Sequence, residues 1–435
     1  MPRHNILYMS SHDTGRFLQP YGYPVPAPRI QRFAQEGVIF RQAFCAGPTC
    51  SPSRAALLTG SYPHENGMIG LAHRGFSLND YSQHLAATLK AAGYLTALAG
   101  FQHVASDAAL IGYDVGLAAD AADGEDERVV REVARFLRER PAVPFYLEVG
   151  FTDTHREFPE PPDDDPQYVM PPALLPDTPE TRYDFACFMK SARRLDASVA
   201  GVLGALDASR MAQNTLVIYA TDHGAPFPRM KCTLTDSGIG VALMMRGPGG
   251  FSGGKAIDAM VSHVDVFPTL CGVLEIPAPS WVRGVSLMPL IRGTANRVRE
   301  EVFAEVNYHA AYEPQRCVRT ERWKYIRRFG DRLRVVLPNC DDGPTKTVWM
   351  KEGWGERRYE PEELYDLIFD PSESHNIAGN AASQAVLDDM RMRLRRWMEE
   401  TSDPLLHGPV KAPNGARVND PDGVSPTEKP RVIQG

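Results

Sequence analysis

The sequence predicts an α/β protein: a large mixed, mostly parallel sheet sandwiched by helices, followed by a smaller C-terminal α+β subdomain. Three observations predict it. Short β-rich apolar runs alternate with amphipathic helical patterns over residues 1–295, the order that parallel strands joined by crossover helices produce. The composition then changes, and 296–407 reads as basic, aromatic strands closed by one helix. The chain has 435 residues and is 43% hydrophobic, enough for a large buried core.

The elements follow in order. Asn5–Ser10 is the first strand. Helices are expected to begin near Ala27, Ser53 and Tyr81, with a strand over Tyr94–Ala99 and a further helix from about Glu125. Phe145–Phe151 is a strand. Between Glu157 and Pro179 runs a Pro- and Asp-rich loop, long enough to be a lid or the rim of a site. From about Arg182 to Leu206, Phe185, Phe188, Met189, Ala192, Leu195, Val199 and Leu203 recur at helical spacing and form a core-facing stripe. Thr215–Thr221 and Gly240–Met245 are strands, and a helix starts near Val264. In the second unit, Arg319–Arg328 and Glu363–Asp366 are strands and Ala382–Glu400 is the closing helix. From Gly408 to 435 the chain is rich in Pro, Gly, Asn and Asp. It is expected to be a disordered tail or one laid over a neighbouring subunit, which would make a homo-oligomer.

The formal net charge of -7 gives no basis for binding nucleic acid or anionic lipid. No apolar stretch is long enough to span a bilayer. Met1–His4 leads directly into the first strand with no signal-peptide core, and the seven cysteines are scattered without a CxxC pair. Both features lead us to expect reduced thiols and a cytoplasmic location.

Three strand-end segments carry the chemistry. The first strand runs into Ser11-His12-Asp13-Thr14-Gly15. Thr215–Thr221 runs into Asp222-His223-Gly224, and Phe145–Phe151 into Thr152-Asp153-Thr154-His155. Ligands of open α/β sheets sit beyond such carboxyl ends. His12, Asp13, Asp222 and His223 therefore form a candidate metal site. Carboxylates alone favour calcium or magnesium; two imidazoles move the expectation toward manganese or zinc. The third signal is Cys50-Ser51-Pro52-Ser53-Arg54, running into Ala55-Ala56-Leu57-Leu58-Thr59-Gly60 at the mouth of a helix.

That Cys-x-Pro-x-Arg stretch resembles the motif in which sulfatases of the alkaline phosphatase superfamily have a cysteine converted to formylglycine. Within the family the chain is most similar to heparan N-sulfatases (sulfamidases) and bacterial relatives. The resemblance extends through Asn5-Ile6-Leu7, Asn66–Leu71, Asp153–Arg156, Asn214–Ile218, Pro226-Phe227-Pro228 and Glu363–Asp366, nearly the whole chain apart from the tail. It implies hydrolysis of a sulfate ester or sulfamate through a gem-diol nucleophile and a covalent sulfo-enzyme intermediate. A formylglycine-generating enzyme would mature Cys50. One divalent ion, with calcium or manganese ahead of zinc or magnesium, would be bound by His12, Asp13, Cys50, Asp222 and His223. Arg54 would hold the diol, His103 would act as base, His155 as general acid, and Lys231 would bind sulfate. His64, Asn66, His73, Phe101, Tyr308 and His309 are expected to contact substrate.

One departure narrows this. Gly100-Phe101-Gln102-His103 has Phe101 where the family usually has a lysine, so one cation of the anion pocket is missing. The two extra histidines also resemble phosphonate monoester and phosphodiester hydrolases of the same superfamily, which is the alternative reading. An unmodified, non-catalytic binding protein is the second alternative.

Overall fold

The structure is a computed structural model and describes residues 4–118 and 124–434; Met1–Arg3 of the leading segment lie outside them. Nine strands among the described residues form the main sheet. They are β1 (Asn5–Ser11), β2 (Val38–Phe44), β3 (Leu95–Gly100), β4 (Val115–Leu117), β5 (Phe145–Gly150), β6 (Thr215–Thr221), β7 (Gly240–Val241), β8 (Leu243–Arg246) and β9 (Lys255–Ser262). The order across the sheet is β4-β3-β5-β1-β6-β8-β2-β7, with β9 beside β2. β1 pairs in parallel with β5 and β6, β3 with β4 and β5, and β2 with β9; β7 and β8 are antiparallel to their neighbours.

β1 shows why the sheet is buried on both sides. Successive side chains of a strand point to opposite faces. Ile6 and Tyr8 enter one core layer, Leu7 and Met9 the other. The helix Pro179–Ala208 covers the second layer, with Phe185, Phe188, Leu195 and Val199 fully buried there. Each large side chain buried in this way contributes roughly 1.5–3 kcal/mol, so the carboxyl edge of the sheet rests on a stiff base.

Three strands were not legible as apolar runs. β2 is interrupted by Arg41 and Gln42, β9 exposes its first half as it starts, and β4 is short. Gly240–Met245 is two strands, not one. Ala242 between them is drawn to the site end, where its N–H lies 2.9 Å from Thr221 Oγ1.

The second sheet is antiparallel, in the order β10 (Glu301–Tyr308), β11 (Tyr312–Thr320), β12 (Trp323–Arg328) and β13 (Glu362–Asp366). The helix Gln384–Glu400 closes it, packing Leu387, Leu394 and Trp397 against Val318, Tyr325 and Leu364.

The tail corrects its expectation. It lies on its own chain as a strap, so it gives no argument for an oligomer. Val410, Ala416 and Val418 are buried, and Arg417–Val418 pairs with Arg431–Val432. Its anchor is polar, which is why composition hid it. Asn419 is fully buried; its N–H donates to Ala310 O (2.8 Å) and its Nδ2 to Glu428 O (3.0 Å). The loop after Glu157 is likewise tied down, with Phe158, Val169 and Leu175 in the core.

Candidate active site

Strand register assembles the site. Ser10 pairs with Gly150, Ser11 with Thr221 and Gly100 with Gly150, so the residues after β1, β3, β5 and β6 emerge side by side. Asp13 has φ +58°, an unfavourable conformation for a residue with a Cβ. Its N–H donates to Asp222 Oδ1 (2.8 Å), which locks the two strand ends together. The two glycines after these pairs serve different ends. Gly15 has φ +58°, whereas a Cβ on Gly224 would lie 2.1 Å from Ser237 O; that position needs the close approach.

Cys50 is the first residue of the helix Cys50–Thr59, every residue of which is buried. The helix N-terminus favours negative charge. Pro52 sits in the first turn, where a missing N–H costs nothing. Arg54, four residues after Cys50, shares its face. Its guanidinium donates to Ser10 Oγ (2.9 Å), Ser11 O (3.0 Å) and Asp222 Oδ2 (3.1 Å). The Ser53 hydroxyl ties the same helix to the Asp222 carbonyl.

Around Cys50 the charges are dense. Lys231 Nζ donates to Asp13 Oδ2 (2.7 Å) and Asp341 Oδ2 (2.9 Å). Burial alone would lower the Lys231 pKa, but Asp13 and Asp341 outweigh it and hold the amine charged, well above the usual range. His223 Nε2 lies 3.3 Å from both Cys50 Sγ and Asp13 Oδ1. Burial, reinforced by Asp13 and Asp222 against Lys231, pushes the Cys50 thiol well above its usual range. That direction favours the neutral thiol over the thiolate in the chain without a metal.

The donor set fits a divalent cation. Ligand atoms of His12, Asp13, Cys50 and Asp222 all lie within 4.8 Å of one another. His12 Nε2 is buried with no hydrogen-bond partner among the described residues, 3.6 Å from Asp13 Oδ1 and 3.8 Å from Asp222 Oδ2. Burial, then His155, holds His12 neutral, the form that ligates a metal.

Above this floor opens a cavity of about 280 Å³, lined among others by Cys50, His73, Arg74, His103, His155, Lys231 and His309. His103 Nε2 is 2.6 Å from His73 Nδ1. A ring nitrogen of His103 also lies within 4.8 Å of Cys50 Sγ and His12. His155, 31% exposed, has Nε2 3.8 Å from Asp13 Oδ2. Phe101 lies off the cavity wall. Its ring stacks on His12 (centroids 4.9 Å apart) and under the Arg54 guanidinium (5.3 Å), so it packs the site where a lysine would have reached the anion.

Three expected contact residues are elsewhere. His64 is buried against Glu305, beside Arg316 and Asp403, and meets the Trp397 ring edge-on. Arg316 faces both carboxylates, and Glu305 raises the His64 pKa against its burial, so two cationic groups already meet the two acids there. Asn66 bonds Thr59 Oγ1, Ser61 O and Met68 N, closing the turn after the helix. Tyr308 donates its hydroxyl to Val410 O (2.7 Å), holding the strap. A larger hollow of about 570 Å³, between β9 and the closing helix, has no cysteine, serine or histidine in its lining.

Comparison with known proteins shows the family. Residues 4–276 match the sulfatase family model, and 230–347 match the C-terminal region of N-sulphoglucosamine sulphohydrolase. The chain belongs to the sulfatase family. It is a hydrolase of sulfuric esters or sulfamates. The N-sulphoglucosamine sulphohydrolase of Homo sapiens is 29% identical, over 88% of each chain. A solved 2-O GAG sulfatase superposes with a TM-score of 0.71 at 23% identity, covering 94% of this chain and 95% of the other. The phosphonate monoester hydrolase of Agrobacterium radiobacter has the same fold, with a TM-score of 0.71 at 19% identity, over 92% and 96%. No described helix of this sulfatase is long and apolar enough to cross a membrane.

Two residues of this cavity were missed in the sequence. Asp341 holds Lys231 from the far side and is itself kept ionised, Lys231 overcoming its burial. Arg74 enters the same cavity from the turn after Leu71. Neither stands in a motif. The only local sign was an acidic pair, Asp341-Asp342, inside the turn Pro338–Gly343.

Proposed function

We propose that this sulfatase cleaves a sulfate ester or sulfamate on a saccharide. It would use formylglycine made from Cys50 by a formylglycine-generating enzyme and one divalent ion held by His12, Asp13, Asp222, His223 and the matured residue. The observation that carries this is the placement of Cys50: first residue of a buried helix, its Sγ 3.3 Å from His223 Nε2, among Arg54, Lys231 and paired carboxylates. The hydrated aldehyde would supply a hydroxyl nucleophile, and the ion positive charge beside the sulfuryl oxygens. The donor set suits calcium or manganese ahead of zinc or magnesium.

The chain's own groups would divide the work. Arg54, fixed by Ser10, Ser11 and Asp222, orients the hydroxyls at position 50. Lys231 binds sulfuryl oxygen while Asp341 keeps its ammonium aimed. His155, about a third exposed, gives a proton to the leaving oxygen or nitrogen. His103, aligned by His73, takes a proton from position 50. The seven buried, unbridged cysteines support a cytoplasmic location as part of this reading.

A phosphonate or phosphodiester hydrolase is the second reading, favoured by His12, His223 and Phe101. Matched aryl sulfate and aryl phosphonate substrates, with a glucosamine N-sulfate beside them, separate the two. We expect kcat/KM for the sulfate or sulfamate to exceed that for the phosphonate by at least about a hundredfold, the scale of one lost charge-stabilising contact. The reverse order overturns the proposal.

A further inference from the structure

We propose that Arg74, held by the C-terminal strap, forms a second anion subsite in the active-site cavity, taking a carboxylate or sulfate of the sugar other than the group being cleaved. The inference rests on the saccharide reading above and adds a substrate requirement to it.

Most charged groups lining the cavity already have opposite partners. Lys231 is shared by Asp13 and Asp341. Arg156 donates two bonds of 2.8 Å to Asp184, and Asp342 accepts from Lys346 at 2.7 Å. Arg74 differs. Its Nη1 donates to Asn419 Oδ1 (2.7 Å) and its Nη2 to Pro426 O (3.0 Å), both neutral acceptors. No ion pair of Arg74 with a carboxylate is formed among the described residues. Arg417 is close by, donating to the His73 carbonyl, and it too has no carboxylate partner there. Burial, then the nearby Arg417 charge, lowers the Arg74 pKa, as expected of two cations brought together without a counterion.

The placement is built. Asn419 is fully buried and fixed by backbone bonds to Ala310 and Glu428, so its Oδ1 cannot turn away. Lys346 Nζ grips Val424 O (2.7 Å), and the following Pro426 and Thr427 form part of the cavity wall. Two of the five N–H donors of Arg74 are used by the strap. A buried Asn in place of an Asp orients the guanidinium without cancelling its charge. Such a fork suits a planar carboxylate or a sulfate. Glu157 is the carboxylate of the wall without an ion-pair partner among the described residues.

The test uses the full-length, matured enzyme and four substrates: 4-nitrophenyl sulfate, a monosulfated glucosamine, a disulfated glucosamine, and a sulfated disaccharide bearing a uronate. The wild type is expected to prefer one of the two substrates with a second anion over the monosulfated sugar; which one identifies the group as sulfate or carboxylate. Arg74→Gln should raise KM for that substrate about tenfold, the scale of a charge-assisted contact at a half-exposed site, with kcat changed far less. Arg74→Lys should recover part of the loss. Asn419→Ala, with Arg74 present but unpinned, should lose preference in the same direction. Melting curves confirm that each variant is folded, and Arg417→Gln gives an independent variant at the same cluster. An unchanged preference in Arg74→Gln overturns the subsite alone. Turnover of 4-nitrophenyl sulfate but of none of the sugars overturns the saccharide reading and the subsite with it.

Discussion

At the floor of the cavity, Asp13, Asp222, Arg54 and Lys231 are buried, and each is bonded to a group of opposite charge on another strand end or helix. At the rim, Arg74, Glu157 and His155 are partly or fully exposed, and their supports are loops and the strap. The floor is positioned by parallel register, which holds strand ends level to within a residue. The rim is positioned by single side chains, Asn419 above all. On the reading proposed above, the floor would carry the chemistry and the rim would select among substrates. Substitutions in the two regions should differ in kind as well as in size.

The largest effect is expected at Cys50. Cys50→Ala should lower turnover of every substrate by at least about 10³-fold, with a melting temperature near that of the wild type, since alanine suits a helix start that needs no cap from this side chain. A rim substitution with an equal loss on all substrates would erase the distinction. Next is Lys231→Met, which removes a fixed cation and leaves Asp13 and Asp341 unpaired. We expect kcat/KM to fall about 10²–10³-fold together with lower thermal stability, and Lys231→Arg to regain part of both.

Chelation gives a third comparison that reads out without activity. Removing the ion should leave the Asp13 and Asp222 carboxylates facing each other. The melting temperature should fall with EDTA and recover with manganese or calcium. The stabilisation is about 2.7 kcal/mol when free metal exceeds its dissociation constant a hundredfold. The same titration on a variant with Asp13→Asn should show little change. The smallest effect concerns pH. Burial, then Arg74 and Arg417, lowers the His73 pKa to about 4. Removing a positive neighbour favours the imidazolium, so Arg74→Gln raises that pKa. Because His73 and His103 share one close contact, the acid limb of kcat/KM should move toward neutral pH. A profile that stays in place would separate the rim from the histidine pair.

The floor was legible in the sequence because its pieces are local. His12-Asp13, Asp222-His223 and Cys50–Arg54 each sit within a few residues of a strand end or helix start, where turn chemistry leaves a pattern. The rim was not. Asp341 meets Lys231 from 110 residues away, with no periodic signal. Asn419 lies in a stretch whose composition reads as disorder, because its order comes from backbone hydrogen bonds rather than apolar burial. His64 and Asn66 follow the Cys50 helix closely in sequence, yet the turn after Gly60 carries His64 against Glu305 of the second sheet and spends Asn66 on the turn itself. β9 was hidden because it begins exposed, and β2 because polar residues interrupt it. Phe101 was visible as a missing lysine, but not as the ring that packs His12 and Arg54.

The measurement that bears most directly on the floor is a mass spectrum of the peptide containing Cys50, taken from protein produced together with a formylglycine-generating enzyme and compared with its specific activity. Conversion of the thiol to an aldehyde removes about 18 Da. We expect sulfatase activity to rise in proportion to the fraction of peptide carrying that loss, and to be absent where the thiol remains. Full activity in protein whose Cys50 is an unmodified thiol would contradict the account.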